Sequence, residues 1–402
     1  MGHAVRRDEL GALALSAPAG AGTSLIGTFS DAGPGDPMVT VERLARSIVR
    51  DSLRPREYES VIVSTYPHTI ELAEQVTLEC QKVGADPLMV LDTDKAFYGQ
   101  FKNYSDENLK KVSSHCIGLL EYARSYVWLG GPRDPGPMAR TPKEKFGAMY
   151  QGEQAHYEKS LVKKPKNVGV AIGQVTRERA KVYGFNYATW KAMVGAAIAV
   201  NYAKLEAAGK RAAALLSREA DVRVTAENGT DLRFRLAGGS RRPEVDDGVI
   251  SDEDLAAKVT DVALPAGEVW VAPVEESAQG ILVSDVGIPQ VGRLIEGLSW
   301  TFKDGRAIEI TAKRNLASSQ AGWETATGVK DMFGSFALGF NPKAKAGFIQ
   351  NAVAAGTVTV GIGENRALGG KNEASYGFTS NLAAATVEIG GKVVIDRGKW
   401  VV

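Results

Sequence analysis

The sequence predicts an α/β protein with two domains, and three observations support this. Strand-like and helix-like segments alternate from about residue 38 to residue 220, as in parallel βαβ units. Near Asp221 the periodicity changes from helical to the strict alternation of β-strands. The chain of 402 residues is also longer than one hydrophobic core usually serves. We therefore predict a flexible N-terminal arm at 1–37, an α/β domain at 38–220 and a β-rich domain at 221–402.

Apolar runs and helix stop signals predict the elements of the first domain. Helical segments are expected at residues 39–53, 67–83, 107–113 and 176–218, and Gly84 is placed to end the second of them. Strands are expected at residues 60–64, 87–91, 126–129 and 167–173. Residues 132–166 are polar and are expected to be rich in loops. The alternation of strands and helices predicts a flavodoxin-like layer.

The second domain is predicted to consist mainly of short strands. Residues 222–225 and 232–236 flank Asn228-Gly229, a dipeptide typical of tight hairpin turns. Dipeptides such as Asp304-Gly305 separate the later strands. These are expected at residues 268–273, 280–284, 298–302, 307–312, 356–362, 385–389 and 392–396.

Composition narrows the classes of function. The 48 basic and 47 acidic residues nearly balance, so bulk charge gives no argument for binding to nucleic acid or to an anionic membrane. No apolar run approaches the length of a membrane span. Cys80 and Cys116 are too few for a disulfide framework. We expect a cytoplasmic protein whose partner is a small-molecule or peptide-like substrate.

Five short segments stand in a characteristic order along the chain. They are Thr176-Arg177-Glu178-Arg179-Ala180, Thr230-Asp231-Leu232, residues 264–275 (LPAGEVWVAPVE), residues 338–342 (LGFNP) and residues 361–370 (GIGENRALGG). Their order and rough spacing, from about residue 40 to the C-terminus, resemble the aminopeptidase T-like family of bacterial two-metal exopeptidases. The resemblance implies an N-terminal α/β domain, a C-terminal β-rich α+β domain that carries the site, and a homodimer.

The resemblance also implies a metal site, which this chain has mostly lost. In the family, two glutamates, two histidines and an aspartate hold two divalent ions that activate water and polarise the scissile carbonyl. Glu268 matches the first glutamate. The other four ligand positions carry neutral side chains, which cannot neutralise a dication. We therefore expect no metal and no other cofactor. These four residues are Ser335, Thr359, Phe378 and Ser380.

The remaining side chains of this region leave alternatives open. Glu268 is either a structural carboxylate or a desolvated general acid or base. Ser335, Thr359, Phe378 and Ser380 either line a substrate pocket or fill the space that the ligands left. Arg366 stands near a position where the family has a catalytic tyrosine. It could bind a substrate carboxylate bidentately, or be a solvated loop residue.

Two histidines of the first domain are further candidates for substrate binding. His68 stands where a strand end meets a helix start, the place where α/β sheets tend to bind ligands. His156 lies in the polar connecting segment and could reach a domain cleft or a dimer interface. The structural alternative for each is a satisfied or capping histidine.

Three hypotheses on function follow. We favour a metal-independent enzyme with hydrolase-type chemistry on a small amide, peptide-like or ring-containing molecule of secondary metabolism. The second hypothesis is a leucyl-type metallo-aminopeptidase with a rearranged metal site. The third is a non-catalytic binding or scaffold homologue. Relatives of the resembled family include iron-dependent pyridine-ring-opening dioxygenases, whose histidine and carboxylate set this chain lacks. Fold alone therefore does not fix a reaction.

Overall fold

The computed structural model describes residues 40–402, so the arm expected at residues 1–37 lies outside the described residues. The strands in chain order are β1 (Ser60–Thr65), β2 (Asp86–Leu91), β3 (Ser125–Trp128), β4 (Lys166–Val170), β5 (Glu219–Thr225), β6 (Asp231–Ala237), β7 (Glu244–Asp246), β8 (Asp261–Leu264), β9 (Glu268–Val271), β10 (Gln279–Val283), β11 (Ile288–Gln290), β12 (Arg293–Ile295), β13 (Ser299–Lys303), β14 (Arg306–Thr311), β15 (Phe333–Gly339), β16 (Val358–Gly363), β17 (Gly377–Leu382), β18 (Thr386–Ile389), β19 (Lys392–Asp396) and β20 (Lys399–Trp400).

The helices lie mostly in the first half of the chain. A π-helical segment, Ser47–Leu53, continues the first helix, and a 3₁₀ turn, Pro67–Thr69, precedes the second. The α-helices are α1 (Val41–Arg46), α2 (Ile70–Lys82), α3 (Asp94–Asn103), α4 (Asp106–Leu109), α5 (Ser114–Tyr122), α6 (Lys143–Lys163), α7 (Arg177–Tyr183), α8 (Tyr187–Ile198), α9 (Tyr202–Leu216), α10 (Asp252–Ala256) and α11 (Ala317–Thr325). Among the described residues, no helix is both long and apolar enough to cross a membrane.

A five-stranded parallel sheet organises the N-terminal part, in the order β2-β1-β3-β4-β8. This is the flavodoxin-like order, so the predicted α/β fold class is confirmed. The last strand, β8, belongs to the chain beyond residue 220. The chain therefore returns to the first sheet before it builds the later strands, although the domain limits themselves stay a prediction.

Two antiparallel sheets form most of the C-terminal part. Their strand orders are β14-β13-β10-β6-β5-β18-β19-β20 and β17-β16-β15-β9-β7. The predicted hairpin at Asn228-Gly229 joins β5 and β6. Phe234 of the first sheet packs edge-on against Phe333 and Phe336 of the second, with ring centroids 4.9 Å apart in both pairs. The two sheets thus share a buried core, and the predicted β-rich part is confirmed.

Three helical segments differ from the sequence prediction. Residues 143–163 form α6, not a loop, because Phe146, Met149 and Tyr157 are buried along it. The single helix expected at residues 107–113 is wrong. Two serines begin separate helices here: the hydroxyl of Ser105 caps the N-terminus of α4 and that of Ser113 caps the N-terminus of α5. Helix α3 was not predicted.

Candidate active site

The strand register places Glu268 on a defined face of the second antiparallel sheet. Glu268 lies opposite Gly339 on β15, Ala337 lies opposite Thr359 on β16, and Thr359 lies opposite Asn381 on β17. Residues that pair directly, and residues two apart along a strand, share a face. We call this side the Glu268 face. Ser335 and Thr379 also belong to it, because both pair with Gly361.

Two of the predicted site residues lie on the opposite face. Phe378 pairs with Ile362 and Ser380 pairs with Val360, so both point into the core between the two antiparallel sheets. The ring of Phe378 packs against Trp300 with centroids 6.2 Å apart. The hydroxyl of Ser380 is fully buried and has no hydrogen-bond partner among residues 40–402. The structure therefore does not bring these two side chains together with Glu268.

Asn381, which the sequence did not single out, lies where Ser380 was expected. Its Nδ2 donates a hydrogen bond of 2.7 Å to Oγ1 of Thr359, and both side chains are buried. The signal that could have found Asn381 is the strand alternation itself, once one residue of the strand is assigned to a face. The position next to Thr359 thus carries a neutral amide in a hydrogen-bonded pair.

A tight turn sets the position of Glu268. Strand β8 ends at Leu264, residues 265–267 form the turn, and Glu268 begins β9. Gly267 has φ +129°, and a Cβ there would lie 2.5 Å from Cβ of Asn341. Nδ2 of Asn341 donates to the carbonyl of Ala266 at 2.6 Å and to that of Ala197 at 3.0 Å. Glycine at position 267 therefore lets the chain turn closely past Asn341 just before Glu268.

Glu268 faces a cavity of about 150 Å³, the central cavity. One wall is the parallel sheet, where Ser64, Trp128, Gly169 and Ala263 form a row across β1, β3, β4 and β8. Helix α6 forms a second wall, and residues 349–353 with Glu268 form a third. Gly169 has no side chain, so the sheet surface is open at the middle of the row. The lining is mostly apolar, as expected for a small-molecule site.

His156 and Glu268 line this same cavity from different walls. His156 projects from α6. Burial, and secondarily the nearby charge of Lys159, lowers the pKa of its imidazole to about 4. The ring is therefore uncharged at neutral pH and can accept a proton. Glu268 is only 1% exposed. The structure thus brings together two of the predicted residues that lie 112 positions apart in the sequence.

Arg366 is engaged by carboxylates. Its Nε lies 2.8 Å from Glu364, and its Nη2 lies 2.8 Å from Glu158 of α6. Hydrogen bonds to Glu364 first, and then to Glu158, raise the pKa of the guanidinium. A substrate carboxylate would have to displace these partners. The neighbouring residue Ala367 lines the central cavity. The ion pair between Arg366 and Glu158 therefore connects α6 to the segment of the cavity wall that contains Ala367.

His68 lies at the carboxyl edge of the parallel sheet and does not line the central cavity. Its Nε2 donates to the carbonyl of Gly173 at 2.8 Å. Burial lowers the pKa of this imidazole, against the opposing effect of that hydrogen bond. The hydrogen bond connects the segment after β1 to the segment after β4, so the described contact of His68 is structural.

The residues around Glu268 do not fit a two-metal centre. Such a centre needs several carboxylates and imidazoles close together. Within residues 40–402 no group of three or more His, Cys, Asp or Glu residues could hold a metal ion. Ser335, Thr359 and Asn381 on the Glu268 face are neutral, and the last two are hydrogen-bonded to each other. A dication bound on the Glu268 face would therefore have one carboxylate ligand there, that of Glu268.

Comparison with known proteins identifies the fold and the family. The family model described as thermophilic metalloprotease (M29) matches residues 39–346, which is more than half of the chain. No curated protein matches the sequence. The structure is similar to wild-type AmpT from Thermus thermophilus, with a TM-score of 0.70 and 19% identity over 90% of this chain and 99% of that one. The predicted resemblance is confirmed.

A second solved structure shares the fold. It is 2,5-dihydroxypyridine dioxygenase from Pseudomonas putida KT2440, with a TM-score of 0.57 and 15% identity over 90% of this chain and 97% of that one. At such identities both structural matches show the common fold alone. Because the same fold occurs in proteins with such different names, the chemistry has to be argued from the side chains of the site.

Proposed function

We propose that this chain, which belongs to the thermophilic metalloprotease family, is a metal-independent enzyme of the hydrolase type. Its substrate would be a small amide, peptide-like or ring-containing molecule bound in the central cavity. One observation carries the proposal: Glu268 and His156 line the same cavity. A carboxyl group and an uncharged imidazole are both groups that can take part in proton transfer during hydrolysis.

The chemistry assigned to His156 is general acid–base catalysis, and Glu268 binds the substrate and stabilises charge. The neutral imidazole of His156 accepts a proton from water while the water oxygen forms a bond to the substrate carbonyl carbon. The carbon–nitrogen bond then breaks, and the leaving nitrogen takes the proton from the imidazolium. Glu268, on a different wall of the cavity, would hydrogen-bond the substrate N–H and stabilise the positive charge on the imidazolium ring of His156. Proton transfer of this kind contributes roughly 10²- to 10⁴-fold to rates.

The cavity lining defines the substrate class. Its volume of about 150 Å³ and the apolar residues of α6 and of residues 349–353 suit a compact, largely apolar molecule. Asp261 and Asn167 line the end of the cavity at the start of β4 and β8, where Nδ2 of Asn167 donates to Asp261 at 3.1 Å. A substrate would place its apolar part against Trp128 and its polar groups towards the ends of the cavity, one of which is formed by Asp261 and Asn167.

The proposal also covers the localisation, the oligomeric state and the domain limits of the protein. We expect a cytoplasmic homodimer that takes part in secondary metabolism and binds no nucleic acid. The nearly balanced charge supports the last point. We also propose that residues 38–220 and 221–402 are the two domains, with β8 contributed by the second to the sheet of the first.

A metallo-aminopeptidase is the second candidate, because the family model is that of a metalloprotease. It would need ligands other than those implied by the resemblance, of which this chain keeps Glu268. A non-catalytic binding homologue is the third candidate. It would use the same cavity without turnover. These candidates differ in metal content and in their response to Glu268→Gln.

The test combines metal analysis with turnover. Protein purified without chelator is analysed for zinc, cobalt and manganese, then assayed with leucine anilide and with a panel of small amides and lactams. We expect substoichiometric metal, and turnover that EDTA leaves unchanged. Glu268→Gln should lower that turnover by about 10²-fold or more. The exposed Glu276→Gln serves as the matched control and should keep full activity.

Each contrary result has a defined meaning. Stoichiometric metal with chelator-sensitive hydrolysis would establish the exopeptidase and reject the metal-independent mechanism. Small amides that raise the melting temperature without being converted would identify a binding homologue. Full activity in Glu268→Gln would remove this carboxylate from the mechanism.

A further inference from the structure

A second cavity, of about 290 Å³, lies in the β-rich part and shares no lining residue with the central cavity. It lies between β13 and β14 on one side and α11 on the other. Four aromatic side chains line it, so we call it the aromatic cavity. They are Trp300, Trp323, Tyr376 and Phe378.

These four rings form a continuous series. Trp323 meets Tyr376 edge-on, with centroids 5.8 Å apart and planes at 84°. Tyr376 stacks on Phe378 at 6.1 Å and 15°, and Phe378 meets Trp300 edge-on at 6.2 Å. Aromatic pairs favour such offset and edge-to-face arrangements. The cavity therefore offers both ring faces and ring edges to a planar molecule.

The wall carries no charged residue. Its polar side chains other than aromatic ones are Ser319 and Gln320, both on α11. Lys330 lies outside this wall, with its Nζ 4.9 Å from the centre of the Trp323 ring, and its ammonium group donates a hydrogen bond to the Trp323 carbonyl. A charged ligand would therefore lose its hydration without a partner of opposite charge in the wall, which is costly. The cavity should therefore discriminate strongly against ions of either sign.

The size of the space sets the size of the ligand. Protein interiors are normally close-packed. An engineered apolar cavity of about 150 Å³ is large enough to bind benzene. The aromatic cavity is larger than that and opens to solvent beside Ile308, which is 60% exposed. Helix α11 packs closely against the ring of Tyr376 at Gly322, where a Cβ would lie 2.8 Å from Cε2 of the ring. This contact fixes the wall that α11 contributes to the cavity.

We propose that the aromatic cavity is a second small-molecule site, for an uncharged aromatic ligand of one or two rings. The site is separate from the central cavity and does not depend on the reaction proposed there. Phe378, which the sequence placed among the substrate-binding residues, belongs to this second site.

The test compares two probes that share a ring system and differ in charge. The full chain is titrated by calorimetry with 2-naphthol and with 2-naphthoate at neutral pH. We expect one equivalent of 2-naphthol to bind, and 2-naphthoate to bind at least about 10-fold more weakly because its carboxylate is desolvated without a partner.

Three variants locate the bound probe. Ala307→Phe fills the aromatic cavity, and Ile308→Trp covers its mouth at an exposed position. Each should weaken 2-naphthol binding by about 10-fold or more, since each occupies the space that the rings need. Ala367→Phe fills part of the central cavity and should leave 2-naphthol binding unchanged. If Ala307→Phe does not fold, Ile308→Trp decides the question.

Four results would overturn the proposal. They are no binding of 2-naphthol, equal binding of both probes, loss of binding in Ala367→Phe but not in Ile308→Trp, and binding only after dilution to a smaller oligomer. The last of these would mean that another copy of the chain covers the cavity.

Discussion

Glu268 and His156 reach one cavity from elements that no local pattern connects. The sequence could indicate Glu268, because this residue stands in one of the segments that carry the family resemblance and matches the family's first glutamate. It could also indicate His156 as a candidate. What it could not give is their shared cavity, since this depends on α6 packing over the parallel sheet at Trp128 and Gly169. It is the tertiary structure that brings the side chains of Glu268 and His156 to the same cavity.

The lowered pKa of His156 predicts the pH dependence of activity. An imidazole whose pKa is about 4 stays uncharged down to acidic pH, so activity should fall below about pH 4 and not near the ordinary value of about 6.5. His156→Asn should lower turnover by about 10²-fold and remove this acidic limb. The exposed His115→Asn should change neither. A pH–rate profile with a limb near the ordinary histidine value would contradict the assignment.

The positions of Phe378 and Ser380 show why the site was only partly predictable. The sequence Phe378-Thr379-Ser380-Asn381 contains a polar residue on each face of the strand. A shift of one residue in register exchanges the two faces completely. The segment could therefore be found from the sequence, but the residue beside Thr359 could not. The register shows that it is Asn381.

The assignment of faces predicts different costs for two neighbouring substitutions. Ser380→Asp would bury an unpaired carboxylate in the core between the sheets and should lower the free energy of unfolding by about 3 kcal/mol or more. Thr379 is itself partly exposed, although most of the Glu268 face is buried, so Thr379→Asp should cost about 1 kcal/mol or less. Urea unfolding of the two variants measures both values. Equal costs, or the reverse order, would mean that the register is wrong.

At the scale of elements, strands that alternate apolar and polar residues were predicted, while strands buried on both faces were predicted only in part: β9 and β16 were expected and β15 was not. The hairpin β5–β6 alternates apolar and polar residues, and it was predicted. Strand β15 is buried at every position, so it carries no alternation to detect. Helix α6 was missed for a related reason. Its sequence contains Gly147 and Gly152 among many polar residues, a composition typical of loops.

The glycine at position 152 allows α6 to approach α4 closely. A Cβ at Gly152 would lie 2.3 Å from the carbonyl oxygen of Leu109, a backbone atom that cannot move aside alone. Gly152→Ala should therefore destabilise the protein, even though alanine is the better helix former by about 1 kcal/mol. Gly195→Ala in α8 is the matched control, because nothing lies within 4 Å of a Cβ there. It should stabilise by up to about 1 kcal/mol.

Thermal and urea unfolding of these two variants test the packing of α6. Because α6 carries His156, Gly152→Ala should also lower turnover, while Gly195→Ala should leave it unchanged. Stabilisation by both substitutions would mean that α6 does not approach α4 as closely as described.

At the scale of the whole molecule, the return of the chain to the first sheet joins the two parts. Strand β8 completes the parallel sheet, and Glu268 follows it after a three-residue turn. Asp246 of β7 strengthens this junction, because its carboxylate accepts a hydrogen bond of 2.9 Å from the backbone N–H of Ala263 in β8. The site therefore lies where the sheets meet. No sequence pattern marks this place, since β8 has only four residues.

Two carboxyl groups with raised pKa values, Asp247 beside this junction and Asp92 after β2 at the other edge of the parallel sheet, predict how the stability of the whole molecule depends on pH. Burial, together with the nearby Asp246 and Asp254, raises the pKa of Asp247 from the ordinary 3.8 to about 7. Burial likewise raises the pKa of Asp92 to about 6. Between the unfolded and folded values the folded chain holds a proton that the unfolded chain releases. The stabilisation from each group is therefore present at acidic pH and is lost as the pH rises through the folded value.

His156 acts in the opposite direction between about pH 4 and pH 6.5, because its folded pKa is the lower one. The contribution of Asp247 is therefore best isolated as a difference between the native chain and Asp247→Asn, measured by urea unfolding from about pH 5 to pH 8. This difference should fall with rising pH by at most about 1.4 kcal/mol per pH unit and level off above about pH 7. The exposed Asp252→Asn should give a difference that does not change with pH in this range. A difference for Asp247→Asn that is equally flat would mean that this carboxyl titrates as an ordinary solvent-exposed one.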